Sequence, residues 1–371
     1  MIGWRGRVDD ESDTMSNVEK LPVPPRREGP AVTLIGTDLP APYLEEAEPS
    51  PFMHSASMWW HRIVRTFQIL LVLALVGFYP AMIVASHSIN DDPVILPADT
   101  PWASPETGVM VSLIAREIEG PGWANDRPGW HPQARLTGLP AWQNSLSQSM
   151  SEFARLTASG SLTTENNPDP DLSAAARLLV PEADLAQTPR LAAAAEALAR
   201  YEGRLERDLA TAPVGTEALV SELALFASWA DSSRERLEKR IGMREGWPAA
   251  KEDIRAFYEA RARAQVASQL ISAAFLSEPD LAVSQAVQTR MDRLEASWRR
   301  AAELNPIFVS SQAGDARLMA DHIAMMAFYL GQASEATREL GAALIEEQKA
   351  AAAAAAAARA EEDGGSDPTE S

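Results

Sequence analysis

The residue types best suited to binding or chemistry in this chain lie close together between Gly120 and Trp142. Residues 120–142, hereafter the tryptophan loop, hold three tryptophans with a carboxylate, an amide, a guanidinium and an imidazole among them. The candidate residues are Trp123, Asn125, Asp126, Arg127, Trp130, His131 and Trp142. Exposed tryptophan beside such polar groups would suit a sugar ring or a protein partner. The alternative is that the tryptophans are buried, as large aromatics usually are, and pin the loop to a helical bundle.

A second candidate is His322, which the pattern places on the apolar face of the last predicted helix. It lies three residues after Met319 and four before Met326, with Asp321 beside it. A histidine–carboxylate pair would act as a base or as a pH sensor. We favour a core histidine with hydrogen-bonded nitrogens, because one histidine without a partnered nucleophile makes no mechanism.

The patterns that mark common enzymes and metal sites are missing from the sequence. It has no Gly-rich phosphate loop, His-Glu-x-x-His helix, Gly-x-Ser-x-Gly elbow or EF-hand loop. The chain has no cysteine, which excludes disulfides, a thiolate nucleophile and thiolate metal ligands. The sequence therefore predicts no cofactor, no metal and no catalytic residue, although a Ser-His-carboxylate triad would leave no local pattern.

One stretch, residues 66–90, runs for 25 residues without a formal charge and has an apolar centre. A helix needs about 20 such residues to cross a bilayer, so we predict a membrane span from Thr66 to Ser86. The stretch is longer than the apolar core of a signal peptide and lies far from Met1, which favours a retained anchor. A start at Met53 or Met58 would make it more like a signal peptide.

The residues that flank this stretch predict its orientation. Arg62 and Arg65 precede it, behind Trp59 and Trp60, whereas the first charge that follows it is Asp91. Positive residues near a span stay in the cytoplasm, and tryptophan favours the membrane interface. The N-terminus is therefore predicted to be cytoplasmic. The C-terminal part is then outside, in the periplasm of a bacterium whose inner membrane holds the anchor.

Composition divides the chain into five predicted parts. They are a Pro-rich, disordered cytoplasmic tail (1–57), the anchor with its aromatic and basic flank (58–90), an extended linker (91–103), a helical domain (104–349), and a poly-alanine helix extension with an acidic, disordered tail (350–371). The net charge of −19 argues against nucleic acid as a partner.

Apolar residues recur at helical spacing through the domain, and alternation typical of strands is nearly absent. The first helices are predicted over Ser104 to Glu119 and Pro140 to Ala158, and four longer apolar faces follow after residue 215. Prolines fall between these faces, at Pro248, Pro279 and Pro306. The sequence thus predicts an all-α fold, in which an antiparallel bundle of six or seven helices follows a single transmembrane helix.

Several short motifs of the domain resemble one family of membrane proteins. They are Gly122-Trp123-Ala124-Asn125-Asp126-Arg127-Pro128-Gly129, Gly138-Leu139-Pro140-Ala141-Trp142-Gln143, Asp169-Pro170-Asp171-Leu172, Tyr201-Glu202-Gly203-Arg204-Leu205, Phe257-Tyr258-Glu259-Ala260-Arg261 and Asn305-Pro306. This pattern is similar to the proteobacterial domain of unknown function 2333 and covers most of residues 101–345. The resemblance implies one anchor and a helical periplasmic domain, and it implies no activity, cofactor or catalytic residue.

These observations favour a non-enzymatic inner-membrane protein whose periplasmic domain is a scaffold or binds protein partners in the cell envelope. The alternative is an envelope enzyme or glycan-binding protein that uses the tryptophan loop. Facing carboxylates beside that loop would favour the enzyme, and a filled interior without a cleft would favour the scaffold.

Overall fold

The computed structural model describes residues 51–96, 102–162, 167–243, 249–277, 284–306, 308–311 and 320–364. Within these residues the chain forms nine α-helices, two short 3-10 helices at Ala124–Asp126 and Pro132–Arg135, and no strand. The α-helices are α1 (Pro51–Ser86), α2 (Pro105–Glu119), α3 (Gly138–Gly160), α4 (Pro170–Leu179), α5 (Gln187–Leu205), α6 (Thr216–Gly242), α7 (Lys251–Ser277), α8 (Gln285–Ala302) and α9 (His322–Gly364). The predicted all-α class is confirmed for the described part of the chain.

Helix α1 is the one helix in the described residues that is long and apolar enough to cross a membrane. Its qualifying part is Trp59–Met82, 24 residues in which none of the described side chains is buried. Pro80 lies inside the helix without ending it. The helix stops at Ser86, four residues before the predicted anchor ends. It also includes residues 51–57, which the sequence assigned to a disordered tail, whereas residues 1–50 lie outside the described part.

The predicted helices after the anchor are found, and two more occur. The bounds of α2 and α3 agree with the predicted ones within two residues, and α6 to α9 match the four later apolar faces. Helix α9 continues through the alanine run, as predicted. Eight α-helices follow α1 in the described residues, against the six or seven expected. The two additional helices are α4 and α5, whose patterns in the sequence are weak. Helix α4 has only ten residues. The buried face of α5 is rich in alanine, so it differs little in hydrophobicity from the exposed face. Pro248, Pro279 and Met319 lie outside the described residues.

The helices after α1 enclose an apolar core in which large aromatic side chains are completely buried. Phe153 of α3 and Phe226 of α6 stack with ring centroids 6.0 Å apart. Trp298 of α8 is buried as well, and its Nε1 donates to Thr337 Oγ1 of α9 at 3.0 Å. Buried indole N–H groups need such a partner, so this bond fixes α8 against α9 while the rings fill the interior.

Residues 87–96, which we call the docked segment, follow α1 without regular secondary structure and lie along α7. The Asp91 main-chain oxygen accepts from Gln265 Nε2 at 3.1 Å, and Val94 N donates to Gln269 Oε1 at 2.8 Å. The order of these contacts shows that the segment runs in the same direction as α7. Residues 91–96 therefore lack helix, as the predicted linker would, yet are held by side chains of the domain.

Helix α2 runs back along the domain, antiparallel to α7. Near its C-terminus Arg116 NH1 donates to the Asp92 main-chain oxygen at 2.6 Å. Near its N-terminus Glu106 Oε1 accepts from Ser277 Oγ, at the end of α7, at 2.7 Å. We call the end that carries Asp92 anchor-proximal and the end that carries Ser277 anchor-distal. The contacts of α2 with the two ends are ten residues apart, at Glu106 and Arg116, which separates the ends by about 15 Å.

Candidate functional site

The two outer tryptophans of the tryptophan loop are buried and do not reach the surface. Trp142, in the first turns of α3, is 0% exposed, and Trp123 is 3% exposed. Both are part of the apolar core. These two tryptophans are buried, as in the alternative in which they pin the loop to the bundle. A ligand at the surface therefore cannot stack on them.

Glu117, in the last turn of α2, is a buried carboxylate that ties this helix to the tryptophan loop. Its Oε1 accepts from Trp142 Nε1 at 3.4 Å, and its Oε2 accepts from Gln143 Nε2 at 2.9 Å. The Gln143 amide also bonds the loop backbone, at Gly122 O and at Ala124 N, both at 2.9 Å. Burial raises the pKa of Glu117, against the lowering effect of the hydrogen bonds it accepts. This carboxylate is enclosed by its own chain and is not open to a substrate.

Arg261 of α7, which is 1% exposed, lies over the ring of Trp142. Its Cζ is 5.4 Å from the ring centroid, which is a cation–π contact. Arg261 Nε donates to Ala302 O at 3.0 Å, NH1 donates to Asn305 Oδ1 at 3.2 Å, and NH2 pairs with the Asp91 carboxylate. Burial lowers the pKa of Arg261, and Asp91 raises it. One guanidinium thus joins the docked segment, α7 and the end of α8.

Asp126 of the tryptophan loop caps the N-terminus of α5. Its Oδ1 accepts from Gln187 N at 2.7 Å, and its Oδ2 accepts from Thr188 N at 2.7 Å and from Thr188 Oγ1 at 2.6 Å. These N–H groups have no partner inside the helix, and the positive end of the helix dipole favours a carboxylate there. The role of Asp126 in this structure is therefore to fix the loop to α5.

Trp130 is the tryptophan of the loop that the fold leaves at the surface. It is 73% exposed, and its ring centroid is 6.1 Å from that of His131. His131 Nδ1 accepts from Gln133 N at 3.3 Å, which starts the second 3-10 helix. The imidazole therefore supports the backbone on one side while the indole faces solvent.

Asn125 and Arg127 are exposed as well, and each is bonded to a neighbour on the domain. Asn125 Nδ2 donates to Asn144 Oδ1 at 3.3 Å, and Arg127 NH2 donates to Pro121 O at 3.4 Å. Of the seven candidate residues, the structure therefore leaves Asn125, Arg127 and Trp130 exposed, and it places Asp126 and His131 at partial exposure.

A surface depression adjoins the loop and has two carboxylates, Asp126 and Glu182, in its lining. Asp126 is bonded to the backbone of α5, as described above. Glu182 pairs with Arg190 at 2.8 Å. Both carboxylates are thus engaged by groups of the same chain, whereas a catalytic acid or base must reach a proton of its substrate.

His322 is the first residue of α9 and is 7% exposed. Its Nδ1 accepts from Ser310 N at 3.1 Å, and the main-chain N–H of His322 donates to Ser310 O at 2.9 Å. Asp321 Oδ1 accepts from Ala324 N at 2.9 Å in the first turn of the helix. Burial lowers the pKa of His322, and Asp321 raises it. This geometry is that of a core histidine, with Nδ1 engaged by the backbone.

Comparison of the chain with protein-family models, with curated proteins and with solved structures gave no match. The resemblance to the domain of unknown function 2333 family therefore stays a prediction. Stretches that carry this resemblance do meet in the fold. Residues 122–129 bond to Gln143, and Arg261 bonds to Asn305.

The polar residues that organise this end of the domain, Glu117, Arg261 and Asp91, were not among the candidate site residues. A pattern in the sequence could have indicated two of them. Glu117 follows Leu113 by four residues, and Arg261 follows Phe257 by four residues, so each charge falls on an apolar helix face. A charged residue at such a position indicates a buried polar contact. Asp91 carries no comparable signal, because it lies outside any helix.

Proposed function

We propose that this protein is a single-pass inner-membrane protein and a non-enzymatic scaffold of the cell envelope. In this proposal α1 is the anchor, the N-terminus is cytoplasmic, and the helical domain binds protein partners in the periplasm. The apolar, exposed surface of α1 and the basic residues before it support the anchor and its orientation.

The observation that carries the scaffold proposal is that two carboxylates at the tryptophan loop, Glu117 and Asp126, bond groups of the domain itself. Glu117 holds Trp142 and Gln143, and Asp126 caps α5. A catalytic acid or base must reach a proton of its substrate. Glu117 and Asp126 instead bond backbone and side-chain groups of the domain, which supports a structural role over a catalytic one.

The glycan-binding alternative keeps one favourable feature, the exposed indole of Trp130. Stacking on a sugar would depend on this single ring, because Trp123 and Trp142 are buried. Replacing Trp130 with alanine separates the two proposals. A glycan-binding protein would lose retention on envelope glycans, whereas a scaffold would keep its protein partners.

Orientation is tested on the full chain with single cysteines, because the natural sequence has none. Leu276→Cys, an exposed position of α7, should react with a membrane-impermeant maleimide in intact cells whose outer membrane is permeabilised. Asp10→Cys, before the anchor, should react only after the inner membrane is opened. The reverse pattern would overturn the proposed orientation.

Function is tested by affinity purification of the detergent-solubilised full chain, with bound proteins quantified. The control is the same chain with Leu71→Arg and Leu75→Arg, which place two charges in the apolar centre of α1 and prevent stable insertion. Envelope proteins recovered at constant ratio with the natural chain, and lost with the control, would support the scaffold. A defined hydrolytic product from purified peptidoglycan would overturn the non-enzymatic proposal.

A further inference from the structure

The tryptophan loop and the residues just before it contact the docked segment, which directly follows α1. Four residues before the loop, Arg116 donates to the Asp92 main-chain oxygen. Inside the loop, Gly138 packs so closely that an added Cβ would lie 2.6 Å from the Tyr258 ring and 2.9 Å from His87 Nε2. His87 is the first residue after the last residue of α1. The loop therefore lies at the anchor-proximal end of the domain.

Residues 127–136, which we call the loop tip, hold most of the exposed side chains of the loop and have the chemistry of a membrane interface. It exposes Trp130 between two exposed arginines, Arg127 and Arg135, and contains no acidic residue. The chain as a whole has a net charge of −19, so this local excess of positive charge runs against its composition. Tryptophan favours the headgroup region, and arginine binds phosphate through two parallel hydrogen bonds.

The loop tip is also held in shape from within. Gln133 Nε2 donates to Pro121 O at 3.0 Å, and the main-chain oxygen of Pro128 accepts from His131 N at 2.7 Å. Asp126, directly before the tip, is bonded to α5. A surface that is ordered before it binds loses less conformational entropy on contact.

From these observations we propose that the loop tip binds the outer headgroup layer of the same bilayer that α1 crosses. Trp130 inserts at the interface, and Arg127 and Arg135 contact the phosphates of anionic lipids. The inference rests on the proposed membrane anchor. It adds a second contact with the bilayer, which sets the orientation of the domain above the membrane.

The test uses the full chain, reconstituted in bilayers that contain phosphatidylglycerol, with one nitroxide-labelled cysteine at a time. The reporting position is Gly129, where an added Cβ meets nothing within 4 Å and Trp130 is kept. Gly129→Cys is compared with Leu276→Cys at the anchor-distal end, 69% exposed, and with Val76→Cys in α1, 68% exposed. Collision rates with oxygen, which concentrates in lipid, and with a water-soluble nickel chelate report the surroundings of each label.

We expect the label at residue 129 to have a higher ratio of oxygen to nickel collisions than the label at residue 276, and a lower one than at residue 76. Adding Trp130→Ser should shift the label at residue 129 towards water. Replacing both Arg127 and Arg135 with glutamine should weaken the contact by roughly fivefold for each arginine. Bilayers of phosphatidylcholine alone should have the same effect as this double replacement.

Distinct results would overturn distinct parts of the argument. A label at residue 129 that behaves like the label at residue 276, while residue 76 is in lipid, would refute the loop contact and leave the anchor intact. A label at residue 76 in water would refute the anchor itself. Protection of residue 129 from both reagents would mean that protein, and not lipid, covers the loop tip. Unchanged collision rates after the arginine replacements would refute the role of the phosphates.

Discussion

The docked segment and the alanine run of α9 differ both in secondary structure and in their contacts with the domain. Residues 87–96 have no regular secondary structure, yet three side chains of α7 bond them. Arg261 and Gln265 bond Asp91, and Gln269 bonds Val94. The alanine run of α9 is regular helix, and its side chains are exposed throughout. Local regularity and attachment to the domain are therefore independent properties in this protein.

The difference follows from where each stretch finds hydrogen-bond partners. An alanine helix satisfies its backbone internally and gains little from a neighbour, because its side chains bury little area. An irregular segment must find partners for its N–H and C=O groups elsewhere. In the docked segment the side chains of α7 and α2 supply them. The same side chains hold the first residues after the anchor.

The largest effect should come from replacing Arg261 with methionine, which keeps the length of the side chain and removes its charge. Asp91 and the Ala302 carbonyl would lose their donor, so we expect a loss of about 3 kcal/mol in the free energy of unfolding. Denaturant unfolding of the full chain in detergent, followed by tryptophan fluorescence, measures it. Arg293→Met is the matched control, since the Arg293–Glu339 pair is exposed and should cost below about 1 kcal/mol. Equal losses would show that Arg261 does not organise this end.

A smaller loss should follow Asp91→Asn, which keeps the shape of the side chain but weakens its bond to Arg261. We expect about 1–2 kcal/mol, together with faster amide exchange at Val94, because the whole docked segment is loosened. Asp92→Asn is the control. The Asp92 side chain is exposed, and its contact with Arg116 uses the main-chain oxygen, so a change within about 0.5 kcal/mol is expected. Similar exchange rates in both variants would contradict the attachment described here.

The pH dependence of the free energy of unfolding should reveal the burial of Glu117. Burial raises its pKa in the folded protein, so the unfolded chain releases this proton at lower pH than the folded one does. The stability that Glu117 contributes is therefore lost as the pH rises through its raised pKa. Glu117→Gln cannot ionise, so its free energy of unfolding should improve relative to the natural chain as the pH rises from the ordinary pKa of glutamate through the raised pKa of Glu117. A difference between Glu117→Gln and the natural chain that does not change with pH would contradict the buried assignment.

Much of the fold could be predicted from the sequence, because helical periodicity and proline positions are local signals. The first helix after the anchor was placed within one residue, since Ser104 is a good N-cap and Gly120 ends the apolar pattern. Helix α5 was missed, because alanine at its buried positions resembles alanine at exposed ones. The docked segment looked like a linker, because its partners lie about 170 residues later in the chain.

The sequence predicts which residue types lie in the candidate site, but not which of their side chains face the core and which face solvent. The sequence identified Trp123, Trp130 and Trp142 together, and only the tertiary fold separates the two buried rings from the exposed one. Asp126 was chosen as a ligand-binding group, whereas its partner is the N-terminus of α5, 61 residues later. Spacing along the chain does not show which side of a loop faces the core.

The smallest effect should come from ending the chain after Lys349, which removes the alanine run. Leu344 is buried, and the side chains of residues 350–358 are exposed, so the core should lose no contact. We expect helical circular dichroism to fall while the unfolding free energy stays within about 0.5 kcal/mol. Ending the chain after Glu339 is the control, because it also removes buried Leu340 and Leu344, each worth about 1.5–3 kcal/mol. A loss above about 1 kcal/mol from the shorter deletion would mean that the alanine helix packs on another surface, and the contrast with the docked segment would fail.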